Sequence, residues 1–186
     1  MNFSKLVILT FIVNFSLSPL ISYAEETPPL VSNCSGCHGV QGKSANPELP
    51  NLAAQRVNYI TSQLNAFNSG ARKNSVMQAI AAQLNEQNIA ELAGYYAGLA
   101  PVSSGADPAL AKAGEGKAAM CLGCHGSRAQ GNNQIPRLAG QAPGYLIKQL
   151  QNFKSGFRQG GPMQAISSSL SDQDMAEISA YLGSLQ

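Results

Sequence analysis

Two segments of this 186-residue chain set a pair of thiols beside an imidazole: Cys34-Ser35-Gly36-Cys37-His38 and Cys121-Leu122-Gly123-Cys124-His125. Cys-x-x-Cys-His is the pattern by which a chain attaches a c-type haem. The two thiols add across the two vinyl groups of one porphyrin, and the same helical turn places the His to coordinate the iron. Competing chemistries fit less well. A redox dithiol has no need of the His and expects a thioredoxin-like βαβ context, which is absent. Two structural zinc sites need a fourth ligand each, and with 4 Cys and 2 His in the whole chain none is spare. A plain disulfide pair explains neither His. Cys34, Cys37, Cys121 and Cys124 therefore read as the covalent anchors of two haem c groups, with His38 and His125 on the two irons.

Because both histidines are used, bis-His ligation within the chain and catalysis by a distal histidine are excluded. Met77 lies about 39 residues after His38, and Met163 about 38 after His125. A thioether is a soft ligand that favours ferrous iron and raises the potential, so these two are the expected sixth ligands. Met120 and Met175 are expected to fill core space, as methionine often does. A haem-bound His usually donates its free ring N–H to a carbonyl. Pro50 and Pro136, about a dozen residues downstream, offer one each; the alternative is that they merely shape a turn. Arg72 and Arg158 share the context Phe-x-Ser-Gly-x-Arg, and either pair with haem propionates or stand as solvated loop residues. Tyr59 and Tyr145 read as pocket or core residues rather than redox relays.

The elements that must position these residues occur twice. Aligning Pro50–Leu99 with Pro136–Leu185 without gaps gives about 21 identities in about 50 positions. Among them are Gln55/Gln141, Tyr59/Tyr145, Phe67/Phe153, Arg72/Arg158 and Met77-Gln78-Ala79-Ile80 against Met163-Gln164-Ala165-Ile166. Self-similarity of this kind means two copies of one fold. The expected division is domain 1 over 25–99, a Pro-, Gly- and Ser-rich linker over 100–108, and domain 2 over 109–186. Apolar residues recur at helical spacing, as Val57, Ile60, Leu64, Phe67 and as Leu146, Leu150, Phe153, with Pro143 placed to open its helix. The last helix of each copy should begin after Asn85 or Ser171, where Ser171 and Asp174 form a capping-box-like start. Strand signals are weak, so the fold class is all-α. About 80 residues without Trp build a core of only ~3–5 kcal/mol, and a large apolar group is expected to complete it.

The N-terminus differs in kind. Lys5, an apolar run from Leu6 to Leu20 and Ser22-Tyr23-Ala24 read as a secretory signal peptide over 1–24, cleaved before Glu25, so the expected localisation is the periplasm. An uncleaved anchor is the alternative, but the run is shorter than the ~20 residues that span a bilayer. Without it the chain has 11 basic and 10 acidic side chains, which gives no support to nucleic-acid binding. Domain 1 carries 4 basic and 5 acidic residues and the remainder 7 and 5, an asymmetry able to orient weak, fast redox encounters.

These motifs, in this order over nearly all of the chain after residue 24, resemble the class I cytochrome c fold used twice, as in the dihaem cytochrome c4 family. The second copy is the more similar, from Gly114-Glu115-Gly116-Lys117 through its haem motif to Gly161-Pro162-Met163 and Leu170-Ser171-Asp172-Gln173-Asp174. The resemblance implies a periplasmic carrier, often loosely membrane-associated, that moves electrons from a quinol-oxidising cytochrome bc complex to a haem-copper terminal oxidase. It also implies a helix before each haem motif, packed on the last helix with a Gly at the crossing. Gly114 suits that place, whereas the first copy has only about nine residues between Ala24 and Cys34. Its first helix is therefore expected to be truncated, and Met77 lacks the Gly-Pro that precedes Met163. The alternative function is the electron-accepting cytochrome subunit of a periplasmic dehydrogenase, such as a flavocytochrome c sulfide dehydrogenase. A dihaem peroxidase would need a longer chain and an iron able to lose its sixth ligand.

Overall fold

The computed structural model describes residues 27–186, and the signal-peptide expectation over 1–24 lies outside them. The described chain forms α1 (Val31–His38), a 3-10 turn at Val40–Gly42, α2 (Val57–Asn68), α3 (Ser75–Ala81) and α4 (Glu86–Gly98). A second series follows: α5 (Pro108–Lys117), α6 (Ala119–His125), α7 (Pro143–Lys154), α8 (Pro162–Ser168) and α9 (Asp172–Ser184). The only β feature among the described residues is an isolated bridge between Asn132 and Ile135, so the fold is all-α.

Helix starts follow the local chemistry. Asn85 and Ser171 each accept from the backbone N–H three residues on, while Asn88 and Asp174 return a side-chain bond, giving two full capping boxes. Pro108, Pro143 and Pro162 open α5, α7 and α8, where a missing N–H costs nothing. Each copy then packs its second helix on its last. Ile60 of α2 meets Leu92, Ala93 and Tyr96 of α4, with Val31 of α1 alongside. Leu146 of α7 meets Met175, Ile178 and Leu182 of α9. Two expectations are corrected. Val57, first residue of α2, is 44% exposed because the stripe reaches the core only one turn later. Met120 is 49% exposed and stands at the rim of the cavity that Cys121, Cys124 and His125 also line, rather than filling the core.

The copies differ most at the last helix. In the second, α5 crosses α9 so closely that a Cβ on Gly114 would stand 2.0 Å from the Glu177 carbonyl oxygen. Lys117 then ties α5 to α9, with Nζ 2.5 Å from Asp174 and 2.6 Å from Glu177. In the first copy α1 begins three residues before Cys34, and no described helix covers the matching face of α4. Gly94 there has nothing within 4 Å of a would-be Cβ, and Glu91, the counterpart of Glu177, is exposed. The segment joining the copies is pinned to the second: Ser103 Oγ donates to the Gly183 carbonyl at 3.0 Å, and the Ser104 N–H to that of Gly140 at 3.1 Å.

Two glycine substitutions test this asymmetry. Gly114→Ala should force α5 off α9 and lose about 1–3 kcal/mol, the usual cost of overpacking. Gly94→Ala, in open space on a helix, should gain up to about 1 kcal/mol from helix propensity. Thermal unfolding followed by circular dichroism compares the two.

Candidate haem sites

A helix brings residues i, i+3 and i+4 to one face, so α1 presents Cys34, Cys37 and His38 together, and α6 presents Cys121, Cys124 and His125. All six line one continuous cavity of about 1520 Å³ shared by the two copies. Met77, from the first turn of α3, and Met163, from the first turn of α8, line the same cavity. Single small-molecule sites are commonly ~300–1,000 Å³, so this cavity is on the scale of two bulky groups. Its walls are apolar: Ile60, Leu64 and Phe67 in one half, Leu146, Leu150 and Phe153 in the other.

The donor atoms suit tethering and axial ligation. The four thiols form no disulfide. Burial pushes the Cys34 and Cys121 thiols above their ordinary values, with Tyr96 partly countering this at Cys34. His38 Nδ1–H donates to the Pro50 carbonyl at 2.9 Å, and His125 Nδ1–H to the Pro136 carbonyl at 2.8 Å. The carbonyl role foreseen for both prolines is therefore the observed one. Burial pulls both imidazoles below their ordinary value, and the carbonyls partly oppose it. The rings are thus neutral with Nε2 unprotonated, the form that binds a metal. Among the described residues no three His, Cys, Asp or Glu gather as they would around a bare ion. Two thiols, one imidazole and one thioether per half match a group that brings its own equatorial ligands. Immediately after each His the chain turns away at Gly39 (φ 77°) and Gly126 (φ 89°). A Cβ on Gly39 would lie 1.8 Å from the Lys43 carbonyl oxygen, so only glycine fits.

The residues between the halves are arranged with pseudo-twofold symmetry, as in an isologous interface. Gln141 Oε1 accepts from the Asn51 N–H at 2.7 Å while its Nε2 donates to the Asn51 carbonyl at 3.0 Å. Gln55 does the same to Arg137, at 2.8 and 3.0 Å. Asn51 and Arg137 directly follow Pro50 and Pro136, so each histidine's carbonyl partner is one residue from the other copy's glutamine. Arg72 Nη2 donates to Tyr145 Oη and Gln149 Oε1, both at 3.0 Å. Arg158 Nη2 donates to Tyr59 Oη at 3.0 Å and Gln63 Oε1 at 2.9 Å. Each arginine also lies 4.6 Å from the ring centroid of its own copy's Phe67 or Phe153. Arg72 and Arg158 therefore clasp the interface from the cavity wall rather than standing as solvated loop residues. Tyr59 and Tyr145 line the cavity, as expected of pocket residues, and also receive these clasps.

Sequence reasoning passed over Asn51, the interface role of the two glutamines, and Tyr96. The signal for the glutamines was present: Gln55/Gln141 are polar identities inside an otherwise apolar matched motif. Tyr96, where the second copy has Leu182, buries its hydroxyl beside the Cys34 thiol with no hydrogen-bond partner of good geometry.

Comparison with known proteins agrees with this geometry. The cytochrome c family model matches twice, over residues 27–99 and 111–186. Cytochrome c4 of Azotobacter vinelandii is 35% identical over 176 residues, covering 82% of this chain and 84% of its own. The thiosulfate dehydrogenase electron acceptor of Thiomonas intermedia is 33% identical over 173 residues, covering 83% and 79%. The solved cytochrome c4 of Acidithiobacillus ferrooxidans superposes with a TM-score of 0.78 at 35% identity, over 83% of this chain and 99% of that one.

Removing either glutamine clamp leaves a buried backbone N–H and carbonyl unpaired, which costs about 1–3 kcal/mol per orphaned group. Gln55→Ala and Gln141→Ala should each lower the unfolding temperature of the holoprotein. Together they should separate the unfolding of the two halves into distinct calorimetric transitions.

Proposed function

The chain belongs to the cytochrome c family, as a dihaem protein of the cytochrome c4 kind, and on that premise we propose that it carries electrons between a quinol-oxidising cytochrome bc complex and a haem-copper terminal oxidase. Its cofactors are two covalent haem c groups, each supplying, when bound, a one-electron iron couple. The observation that carries the reading is the presence of His and Met on the walls of both halves of the cavity.

In this proposal Cys34 and Cys37 tether the first haem and Cys121 and Cys124 the second, within domains spanning 25–99 and 109–186 joined by 100–108. His38 and Met77 would hold the iron of the first haem, and His125 and Met163 that of the second. Pro50 and Pro136 hold each imidazole in one orientation and one tautomer through Nδ1. The largely apolar walls would give a bound haem a surrounding of low polarity, which favours the ferrous state. An iron held by both a His and a Met of the chain would leave no place for peroxide or oxygen, which supports a carrier role rather than an enzymatic one. Export by the 1–24 segment would put it in the periplasm, with transient partner contacts and at most loose membrane association. No described helix is long and apolar enough to cross a membrane. The charge difference between the halves would present different surfaces to donor and acceptor.

A second reading has a specific observation behind it. The similarity to the thiosulfate dehydrogenase electron acceptor of Thiomonas intermedia supports a role as the acceptor for a periplasmic dehydrogenase of sulfur compounds. The flavocytochrome c alternative belongs to the same class. Stopped-flow mixing of the oxidised protein with a quinol-reduced bc complex, and separately with a thiosulfate dehydrogenase and its substrate, ranks the two. Fast reduction by the first and slow reduction by the second is expected.

Visible spectra test the sites. The unmodified protein should show two c-type haems per chain, a ferric sulfur-ligation band and no response of the ferrous form to carbon monoxide. Met163→Ala should halve that band and let one haem bind carbon monoxide, and Met77→Ala should do the same at the other. Carbon monoxide binding by the unmodified protein would mean an open iron and would turn the reading towards an enzyme.

A further inference from the structure

The two copies build the same helix-receiving face on their last helices, but among the described residues only the second has it filled. On α9 the crossing of Gly114 falls against the Glu177 main chain, and Lys117 closes on Glu177 Oε2 at 2.6 Å. Glu177 and Ala180 are buried there. Their counterparts on α4, Glu91 and Gly94, are exposed, as is Ala90 beside them. The carboxylate is nevertheless held in the same way in both copies. Gln173 Nε2 donates to Glu177 Oε1 at 2.8 Å, and Gln87 Nε2 donates to Glu91 Oε1, also at 2.8 Å. The other oxygen of Glu177 meets a lysine, whereas Glu91 has no ion pair among the described residues.

The backbone of α4 points the same way. Glycine weakens a helix interior, yet Gly94 and Gly98 stand one turn apart on this face, with nothing within 4 Å of a would-be Cβ at either. A helix glycine is useful where a second backbone must come close, and on α9 such an approach is what the matching face receives. The segment that leads into α1 cannot supply it. Counted back from the haem motif, Pro28 and Pro29 fall where Glu115 and Gly116 run as helix in α5, and proline breaks a helix interior. A second copy of the chain fits poorly. The residues of α4 include neither Lys nor Arg, so a twofold crossing of α4 on α4 would bring like carboxylates together.

We propose that the open face of α4 docks a helix of a separate partner protein. That helix carries a small residue at the crossing and, three residues on, a lysine or arginine that meets Glu91, as Gly114 and Lys117 do for Glu177. Of the residues of α4 only Leu92 and Tyr96 line the cavity. The docked helix therefore lies off the haem sites and holds its protein on the first half without closing them.

The probe is a synthetic, helix-stapled peptide with the sequence Asp107–Ala118, added to isotope-labelled ferrous holoprotein and followed through the amide resonances. Those of Glu91, Gly94 and Gly98 should shift saturably, and those of α9 should not. A peptide with Lys117→Glu should bind about fivefold more weakly, the scale of a surface ion pair. It should regain its affinity on protein carrying Glu91→Lys. Gly94→Leu should abolish binding while leaving the visible spectrum and the unfolding temperature of the protein in place, because its side chain enters open space on the free molecule. No saturable shift at millimolar peptide, shifts that survive Gly94→Leu, or shifts at α9 in place of α4 would overturn the proposal. Sedimentation of the protein alone addresses the other occupant. A dimer that Gly94→Leu dissociates would make the face one for self-association and overturn the partner assignment; a monomer that binds the peptide as described supports it.

Discussion

The hydrogen bond from each buried histidine to a proline carbonyl is the contact on which the rest of the structure turns. It fixes the imidazole against rotation, settles which nitrogen carries the proton, and leaves the other facing the cavity. A carbonyl can do this only if its own peptide is immobile. Proline stiffens that peptide from one side. From the other, the next residue has its N–H and carbonyl held by a glutamine of the opposite half. The orientation of each imidazole is therefore secured by the neighbouring copy as well as by its own.

This arrangement suits a protein whose task is to change charge by one unit without changing shape. Buried polar groups that are fully satisfied rigidify their surroundings, whereas partly satisfied ones invite rearrangement. The interface is almost entirely of the first kind. Arg72 and Arg158 each reach across to a tyrosine and a glutamine while stacked on a phenylalanine of their own copy. Buried side-chain atoms without a partner occur at Tyr96, Arg137, Ser167 and Ser179.

Duplication has not kept the halves alike. The second retains the α5–α9 crossing, closed by Gly114 and by Lys117 between two carboxylates. The first leaves the corresponding face of α4 uncovered among the described residues, with Gly94 and Glu91 on the outside. On its core side the first copy also places Tyr96 where the second has Leu182, its ring edge-on to Tyr95. Two haem sites of one design are thereby set in different surroundings.

Much of this was legible in the residues alone. Cys-x-x-Cys-His states its chemistry locally, because tether and ligand fall within one helical turn. The duplication, the caps at Asn85 and Ser171 and the proline carbonyls were equally readable, since each depends on near neighbours or on comparison of one copy with the other. What sequence could not settle was the partner of any side chain whose contact lies 70 to 100 residues away. Arg72 and Arg158 sat in a context that suited a propionate, and Met120 looked like filler. Only the docking of the two halves decided that the arginines clasp the interface and that Met120 stands at the cavity rim. Local chemistry is written in short spacing, while the choice among long-range partners is made by packing, which short spacing does not encode.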